Sequence, residues 1–193
     1  MSAETAAEMY LPHFVVKQKL TMMVNRYEVS ESDAAGNPTR LMALAEQKRM
    51  AFKEQVTFWS DAGKSRAVFG FKARRKLDLN AGYDITDESG AQIGYFKKDF
   101  GASLMRSTFH VEGPGFTGTG RERNQVAGLM RRFTELDFIP IHFDFVDAQG
   151  SPLFSVERKM SIGDRYRVTV PDQRVDFRVA AAVAVALDAL MSR

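Results

Sequence analysis

The sequence predicts a mainly β protein: a closed, mostly antiparallel barrel around a buried apolar helix at the C-terminus. Three observations support this fold class. Turn signals that begin with Asp and end with Gly recur along the chain, apolar and polar residues alternate between them, and the last segment is apolar on every side. Alternation is typical of strands with one buried and one solvated face. A helix that is apolar all round must be buried all round, and a closed sheet can surround it.

Four turn signals divide the chain into hairpins, at residues 33–36, 61–63, 87–90 and 147–150. An Asp side chain can close its own turn, and Gly readily takes the positive φ of a tight reversal. Alternation predicts clear strands at 77–85, 139–145 and 165–170, and weaker ones at 14–16, 20–29, 56–59, 67–72, 93–97, 105–111 and 153–157. The segment 41–52 fits either a helix or a strand.

Two helices are predicted. The first covers residues 121–133, where Val126, Leu129 and Met130 form an apolar stripe that would lie on the outside of the sheet. The second is the C-terminal helix, with Pro171 and Asp172 as its start signal. Its many alanines keep it thin enough for a closed sheet. We expect four of its side chains to pack on the inward residues of the strands: Val179, Val183, Leu187 and Leu190.

Composition and length favour one domain. The chain has 193 residues, of which 45% are hydrophobic and 26% charged, and we expect a single domain over 1–193 with 1–9 as a flexible lead-in. The absence of cysteine excludes a disulfide scaffold, a thiolate metal site and a cysteine nucleophile. The formal net charge of +3 permits an anionic partner without requiring one.

The C-terminal segment is too short to cross a membrane. Its uncharged part, 179–187, would extend roughly 14 Å as a helix, whereas a bilayer core is about 30 Å thick. Asp176, Arg178 and Asp188 flank it closely, and the N-terminus resembles no secretory signal. We therefore expect no transmembrane span and a cytoplasmic protein, with attachment to the periphery of a membrane as a further expectation.

Clusters of basic residues are the main functional signal. Together they would form a patch for anionic lipid or phosphate, although each cluster alone is commonly a solvated face, and Asp78, Asp99 and Glu135 lie close enough to dilute it. The candidate residues are Lys72, Arg74, Arg75, Lys76, Lys97, Lys98, Arg121, Arg123, Arg131 and Arg132. The glycine-rich segment 113–120 is favoured as a mobile connection, and an anion site there is the alternative, because the segment precedes the N-terminus of the predicted outer helix.

No catalytic or metal-binding pattern is present. His13, His110 and His142 fall in separate predicted strands and lack metal-ligand spacing. Asp84, Asp87, Glu88, Asp144 and Asp147 could suggest a cation site, but the calcium-loop pattern is absent, so turn closure is the favoured interpretation. No serine lies in a nucleophile elbow. We predict no catalytic residues, no metal and no cofactor.

The order of strands, outer helix and final apolar helix resembles the LURP-one-related and tubby C-terminal-like proteins, a superfamily that includes the phospholipid scramblases. The local matches are Gly94-Tyr-Phe-Lys-Lys-Asp-Phe100, Phe143-Asp-Phe145 leading into Asp147-Ala-Gln-Gly150, and the final helix. The resemblance covers roughly residues 10–191 and implies a barrel of about twelve strands around the C-terminal helix. Tubby domains bind phosphoinositides and scramblases act at membranes, but neither a tubby lipid-binding motif nor a scramblase calcium motif matches this sequence.

The favoured function is a non-catalytic binding or scaffold module. Its expected partner is anionic phospholipid or phosphoinositide at a membrane surface, or a protein that the sequence does not identify; nucleic acid is not expected. Two alternatives stay open. One is a membrane-active lipid protein of the scramblase type that uses the last helix, and the other is an enzyme or small-ligand carrier with a cavity inside the barrel. The sequence does not determine the oligomeric state.

Overall fold

Twelve strands form a closed barrel around one helix. The computed structural model describes residues 9–20, 24–48, 55–75, 82–99, 108–123, 141–159 and 165–191. The elements in these ranges are β1 (His13–Leu20), β2 (Val24–Ser32), β3 (Pro38–Lys48), β4 (Gln55–Trp59), β5 (Ala67–Ala73), β6 (Tyr83–Asp87), β7 (Gln92–Asp99), β8 (Thr108–Gly113), β9 (Phe116–Glu122), β10 (His142–Val146), β11 (Pro152–Lys159), β12 (Arg165–Thr169) and α1 (Phe177–Met191). The predicted fold class is confirmed.

The topology is up-and-down throughout. Every strand pairs antiparallel with its neighbours in the chain, and β1 pairs with β12 to close the sheet. The barrel therefore has two distinct ends. At one, the turn end, tight turns join β2 to β3, β4 to β5, β6 to β7, β8 to β9 and β10 to β11. At the other end, which we call the far end, odd-numbered strands have their C-terminal ends and even-numbered strands have their N-terminal ends.

Helix α1 fills the interior of the barrel. Val179, Val183 and Leu187 are completely buried, as predicted, and so are the alanines between them; the side chain of Leu190 lies outside the described residues. The sheet approaches the helix very closely at Gly94, where a Cβ atom would lie only 2.9 Å from Cγ2 of Val179. The predicted central helix is thus confirmed, and the space it occupies is the space that a ligand cavity would need.

The Asp and Gly turn signals are confirmed, with one difference in detail. Gly36, Gly90 and Gly150 have φ values of 88°, 84° and 83°, the left-handed conformation that glycine adopts without strain. In the remaining turn this conformation falls one residue later than the glycine, on Lys64, with φ of 59°. The signal Asp61-Ala-Gly63 therefore predicts the turn correctly, but the residue with positive φ is Lys64 and not Gly63.

The structure decides one open assignment and changes another. The segment 41–52 is strand up to Lys48, because β3 pairs with both β2 and β4; residues 49–54 lie outside the described ranges. The predicted outer helix does not begin at Arg121, because Arg121 and Glu122 belong to β9 and pair with β10. Residues 124–133 of that prediction lie outside the described ranges, as do residues 77–81 of the strand predicted at 77–85.

The central helix begins later than predicted. It starts at Phe177 rather than near Pro171 and Asp172, because the intervening residues form two consecutive copies of the motif Asp-x-Arg-Val, at 172–175 and 176–179. In each copy the Asp carboxylate accepts hydrogen bonds from the backbone N–H and the guanidinium of the Arg. We call these pairs the first and second Asp–Arg clips. The first closes a turn before the helix, and the second caps its N-terminus.

The clips attach the helix to the turn end of the barrel. Arg174 of the first clip donates to the carbonyl of Gly115 at 3.2 Å and lies 3.5 Å from Asp147. Arg178 of the second clip reaches Glu88 at 3.3 Å. Burial alone would lower the pKa of Arg178, but the hydrogen bond and charge of Asp176 raise it, so the guanidinium stays charged. Two arginines thus connect the start of α1 to three separate turns.

Replacing Val183 by Asp should prevent folding, because the new carboxylate would be completely buried without a partner. We expect the loss to exceed about 4 kcal/mol, at the extreme of single substitutions. The matched control is Leu41→Asp, since Leu41 is 47% exposed. Thermal denaturation followed by circular dichroism measures both. Cooperative melting of V183D near the wild-type temperature would contradict the buried position of the helix.

The two clips provide a second, internally matched test. Arg178→Ala should lower the free energy of unfolding by about 3–5 kcal/mol, because it leaves the buried Asp176 carboxylate without its counter-ion. Arg174→Ala removes the corresponding arginine of the first clip. Its side chain is 49% exposed, against 6% for Arg178, so the loss of stability should be much smaller. Urea denaturation of both variants gives the comparison; equal losses would show that burial of the second clip does not matter.

Candidate functional site

The two ends of the barrel carry opposite charge. Among the described residues, basic side chains outnumber acidic ones at the far end: Lys17, Lys19, Arg26, Lys72, Arg74, Arg75, Lys97, Lys98, Arg121, Arg123, Arg158, Lys159 and Arg165 against Glu28, Asp84, Asp99, Glu122, Asp144, Glu157 and Asp188. Glu46 contacts both groups, through Arg26 and through Lys64. At the turn end the excess among the described residues is acidic: Glu31, Asp33, Asp61, Asp87, Glu88, Glu112, Asp147, Asp172 and Asp176 against Arg40, Lys64, Arg66, Arg167, Arg174 and Arg178. The far end is therefore the candidate site for an anion.

The structure brings the described members of the predicted patch to this same end. Lys72, Arg74 and Arg75 lie at the end of β5, Lys97 and Lys98 at the end of β7, and Arg121 and Arg123 at the end of β9. From β5 to β9 the distance along the sheet is about 19 Å, at about 4.8 Å per strand. Lys76, Arg131 and Arg132 lie outside the described residues.

Two members of the patch are held by carboxylates. Arg74 binds Asp84 at 2.7 Å, and its guanidinium lies 4.0 Å from the centre of the Tyr95 ring. Arg123 makes two hydrogen bonds to Asp144, at 2.6 and 2.7 Å. These hydrogen bonds raise the pKa of both arginines. Because each has a carboxylate partner on a neighbouring strand, both contribute more to the structure of the barrel wall than to binding.

Four members remain available to a ligand. Lys72, Arg75, Lys97 and Arg121 form no ion pair within the part of the chain that the structure describes. All four lie outside the core at the far end, on β5, just after it, on β7 and on β9. We call them the β5–β9 arc. Lys98 differs, because its ammonium group lies 5.9 Å from the centre of the Phe109 ring.

The predicted anion site at the glycine-rich segment is wrong. Gly113 and Phe116 pair across the tight turn between β8 and β9, and no helix begins after them at Arg121. The later glycines have a packing role instead. A Cβ atom at Gly120 would overlap the ring of Phe145, and one at Gly118 would overlap Leu153. These glycines therefore make room for large inward side chains of β10 and β11.

The histidines and carboxylates do not assemble a metal centre in the described ranges. His13, His110 and His142 lie on β1, β8 and β10, as expected. Asp87 and Asp147 each accept backbone hydrogen bonds within their own turns, which confirms the turn-closing interpretation for these two. His142 lies 3.4 Å from Asp144, and its pKa falls below 6.5 because of burial and the nearby charge of Arg123.

Sequence analysis missed a buried polar network inside the barrel near the far end. Asp188, only 2% exposed, accepts hydrogen bonds from the hydroxyl groups of Tyr27, at 2.8 Å, and Tyr166. Gln18 donates to the Tyr27 hydroxyl at 3.3 Å. Burial and the charge of Asp188 raise the pKa of Tyr27. In the sequence Asp188 is only a charge beside an apolar run, since its tyrosine partners are distant along the chain.

The described residues form a surface depression on the barrel wall. It has a volume of about 190 Å³ and lies over β8, β9 and the turn after β10. Its lining is largely polar and includes His110, Glu112 and Asp147. The depression is shallow and open to solvent, and nothing in its lining forms a nucleophile paired with a base.

Comparison with known proteins identifies the family. The family model described as LURP-one-related matches residues 42–188, well over half of the chain. The chain belongs to the LURP-one-related family. No curated protein is significantly similar to it.

Two structural findings accompany this assignment. A porin-like protein from Bacteroides uniformis is similar, with a TM-score of 0.23 and 9% identity over 84% of this chain and 97% of that one; similarity this low supports no functional inference. Among the described residues of this LURP-one-related barrel, no helix is long and apolar enough to cross a membrane.

His142 should make stability depend on pH. Because the folded state lowers its pKa below 6.5, the unfolded chain takes up the proton first as the pH falls. The free energy of unfolding should therefore decrease as the pH falls through 6.5. His142→Gln should flatten this decrease between pH 7 and 5, whereas His13→Gln should retain it. Urea denaturation at each pH gives the comparison, and parallel curves for wild type and H142Q would contradict the expectation.

Proposed function

We propose that this LURP-one-related protein is a non-catalytic binding module that attaches peripherally to anionic membrane surfaces through the far end of its barrel. The observation that carries the proposal is the opposite charge of the two barrel ends. The cytoplasmic leaflet carries anionic lipids, and each Lys or Arg near such a surface contributes about 1 kcal/mol. The four cations of the β5–β9 arc would therefore support weak, reversible attachment.

The polarity of the barrel supports a defined orientation on the membrane. A surface of negative potential attracts the far end and repels the acidic turn end, so the barrel would stand with its turn end pointing away. The arc can make these contacts without any rearrangement, because its side chains do not have to leave carboxylate partners within the described residues. Such attachment depends on long-range charge and should weaken as the salt concentration rises.

The scramblase-type alternative finds no support in the placement of the helix. Insertion of α1 into a bilayer would require its removal from the barrel, where residues 179–187 are completely buried. Removal would expose the aromatic core of the sheet and break the contacts of Arg174 with Gly115 and of Arg178 with Glu88. The carrier alternative is also unsupported, because α1 occupies the interior that a ligand would need.

Co-sedimentation with vesicles tests the proposal. Wild-type protein should bind vesicles of phosphatidylcholine containing 30% phosphatidylserine, and should not bind phosphatidylcholine alone. The double variant Lys97→Glu with Arg121→Glu should weaken binding by at least about tenfold, because two favourable contributions of about 1 kcal/mol are lost and become repulsive.

The matched control for this experiment is Arg40→Glu with Arg66→Glu. It changes the net charge by the same amount, but both residues lie at the turn end, so binding should be largely retained. Three outcomes would overturn the proposal: no binding by wild type, equal loss in the two double variants, or binding that does not respond to 0.5 M salt.

A further inference from the structure

Three cations occupy adjacent positions on three neighbouring strands at the far end. Lys159 on β11 is directly opposite Arg165 on β12, and Arg165 is directly opposite Lys17 on β1. All three side chains point outward, because the residues that alternate with them, such as Tyr166 and Gln18, are buried in the interior. We call these three residues the cation rung. None of them belongs to the predicted patch.

The cation rung departs from the pattern of the rest of the barrel wall. Several other outward cations face carboxylates across the strands, as in the ion pairs of Arg26 with Glu46 and of Arg40 with Glu31. Arg165 instead has a cation on each side and no ion pair with any described residue. Like charges directly opposite each other destabilise a sheet. An arrangement that costs stability points to a requirement other than folding.

The nearby carboxylates do not neutralise the cation rung. Glu157 binds Lys159 at 2.9 Å. Glu28 is opposite Lys17 in the register, but its carboxylate binds Lys19. One cation of the rung is thus compensated, and Arg165, at its centre, has a cation opposite it on each neighbouring strand and no ion pair with a described residue.

We propose that the cation rung binds two neighbouring phosphate groups, as in a diphosphate. The guanidinium of Arg165 can hold phosphate oxygens in a bidentate arrangement, while each lysine acts as a point charge. Directly opposite Cβ atoms are about 5 Å apart, so three cations span a group of this size. Each phosphate monoester carries a charge of about −1.5 to −2, so two phosphates match the rung better than one phosphodiester does.

This site goes beyond the proposed membrane contact. The β5–β9 arc is centred on β7, and β12 is five strands away in the closed order of twelve. The two groups of cations therefore lie on nearly opposite sides of the barrel at the same end. One could bind a ligand whether or not the other contacts a membrane.

Titration calorimetry with inorganic pyrophosphate tests the inference. Wild-type protein should bind pyrophosphate at one site, and more tightly than inorganic phosphate. Arg165→Glu should weaken binding by at least about tenfold, because it removes the bidentate donor and adds a repulsive charge. The matched control is Arg66→Glu, which changes the net charge equally at the turn end of the barrel and should retain binding within about twofold.

Stability gives a second, independent measurement. Arg165→Glu should raise Tm by about 1–4 °C without ligand, because it replaces two repulsive cross-strand pairs by two attractive ones. Pyrophosphate should raise the Tm of wild type and of R66E but not that of R165E. A variant that folds at least as well as wild type and yet loses the ligand cannot have lost it through misfolding.

Phosphatidylcholine vesicles with a bisphosphorylated inositol lipid distinguish a lipid-borne source of the phosphates from a free one. If the lipid is the source, R165E should lose the binding that this lipid adds over phosphatidylserine of equal total charge. Absence of pyrophosphate binding and of this added lipid binding in wild type, or equal loss in R165E and R66E, would overturn the inference. K97E/R121E should retain pyrophosphate binding. A failure of the membrane proposal can therefore be distinguished from a failure of the diphosphate inference.

Discussion

The structure depends on the burial of one apolar helix inside a closed sheet. The alanines of α1 let the strands approach it, and Gly94 shows how close the approach is, because a side chain there would collide with Val179. Burial also requires that the polar ends of the helix be satisfied. At the turn end the second Asp–Arg clip caps the first turn, and near the far end Asp188 binds Tyr27 and Tyr166. The helix is fixed at both ends and surrounded between them.

Because α1 fills the interior, a ligand has to bind at the outer surface or at the ends of the barrel. The two ends differ for a physical reason: the turn end consists of short reversals that use Asp to accept backbone N–H groups. Those carboxylates make that end acidic. The N-terminus of α1 lies at the same end, where negative charge is favourable to the helix dipole. The basic residues collect at the opposite end, beside the C-terminus of the helix.

Ion pairing separates the cations of the far end into two kinds. Arg74 and Arg123 bind carboxylates on neighbouring strands and stabilise the wall. The β5–β9 arc and Arg165 of the cation rung have no such partners in the described ranges. The difference follows from register, since a shift of one residue between β11 and β12 would remove Lys159 from its place opposite Arg165. Binding capacity in this barrel thus depends on which residue faces which across the sheet.

Local patterns in the sequence determined the turns, the alternation of the strands and the central position of the last helix, because each depends on residues a few positions apart. The start of that helix was harder to predict. The clips at Asp172 and Asp176 occupy the preceding residues, so the helix begins only at Phe177. Residues 41–48 have helical spacing, yet they form a strand because the strands on both sides supply hydrogen bonds. Arg121 is likewise a strand residue because β8 and β10 flank it.

Tertiary structure alone decided which charges meet. Lys17 and Arg165 are far apart in the chain, and only closure of the sheet between β1 and β12 brings them together. The same holds for Asp188 and Tyr27, which meet because the helix enters the barrel from the turn end. The sequence carried the local preferences of each segment. Contacts between distant segments depend on strand register and barrel closure, which are set by the packing of the whole core.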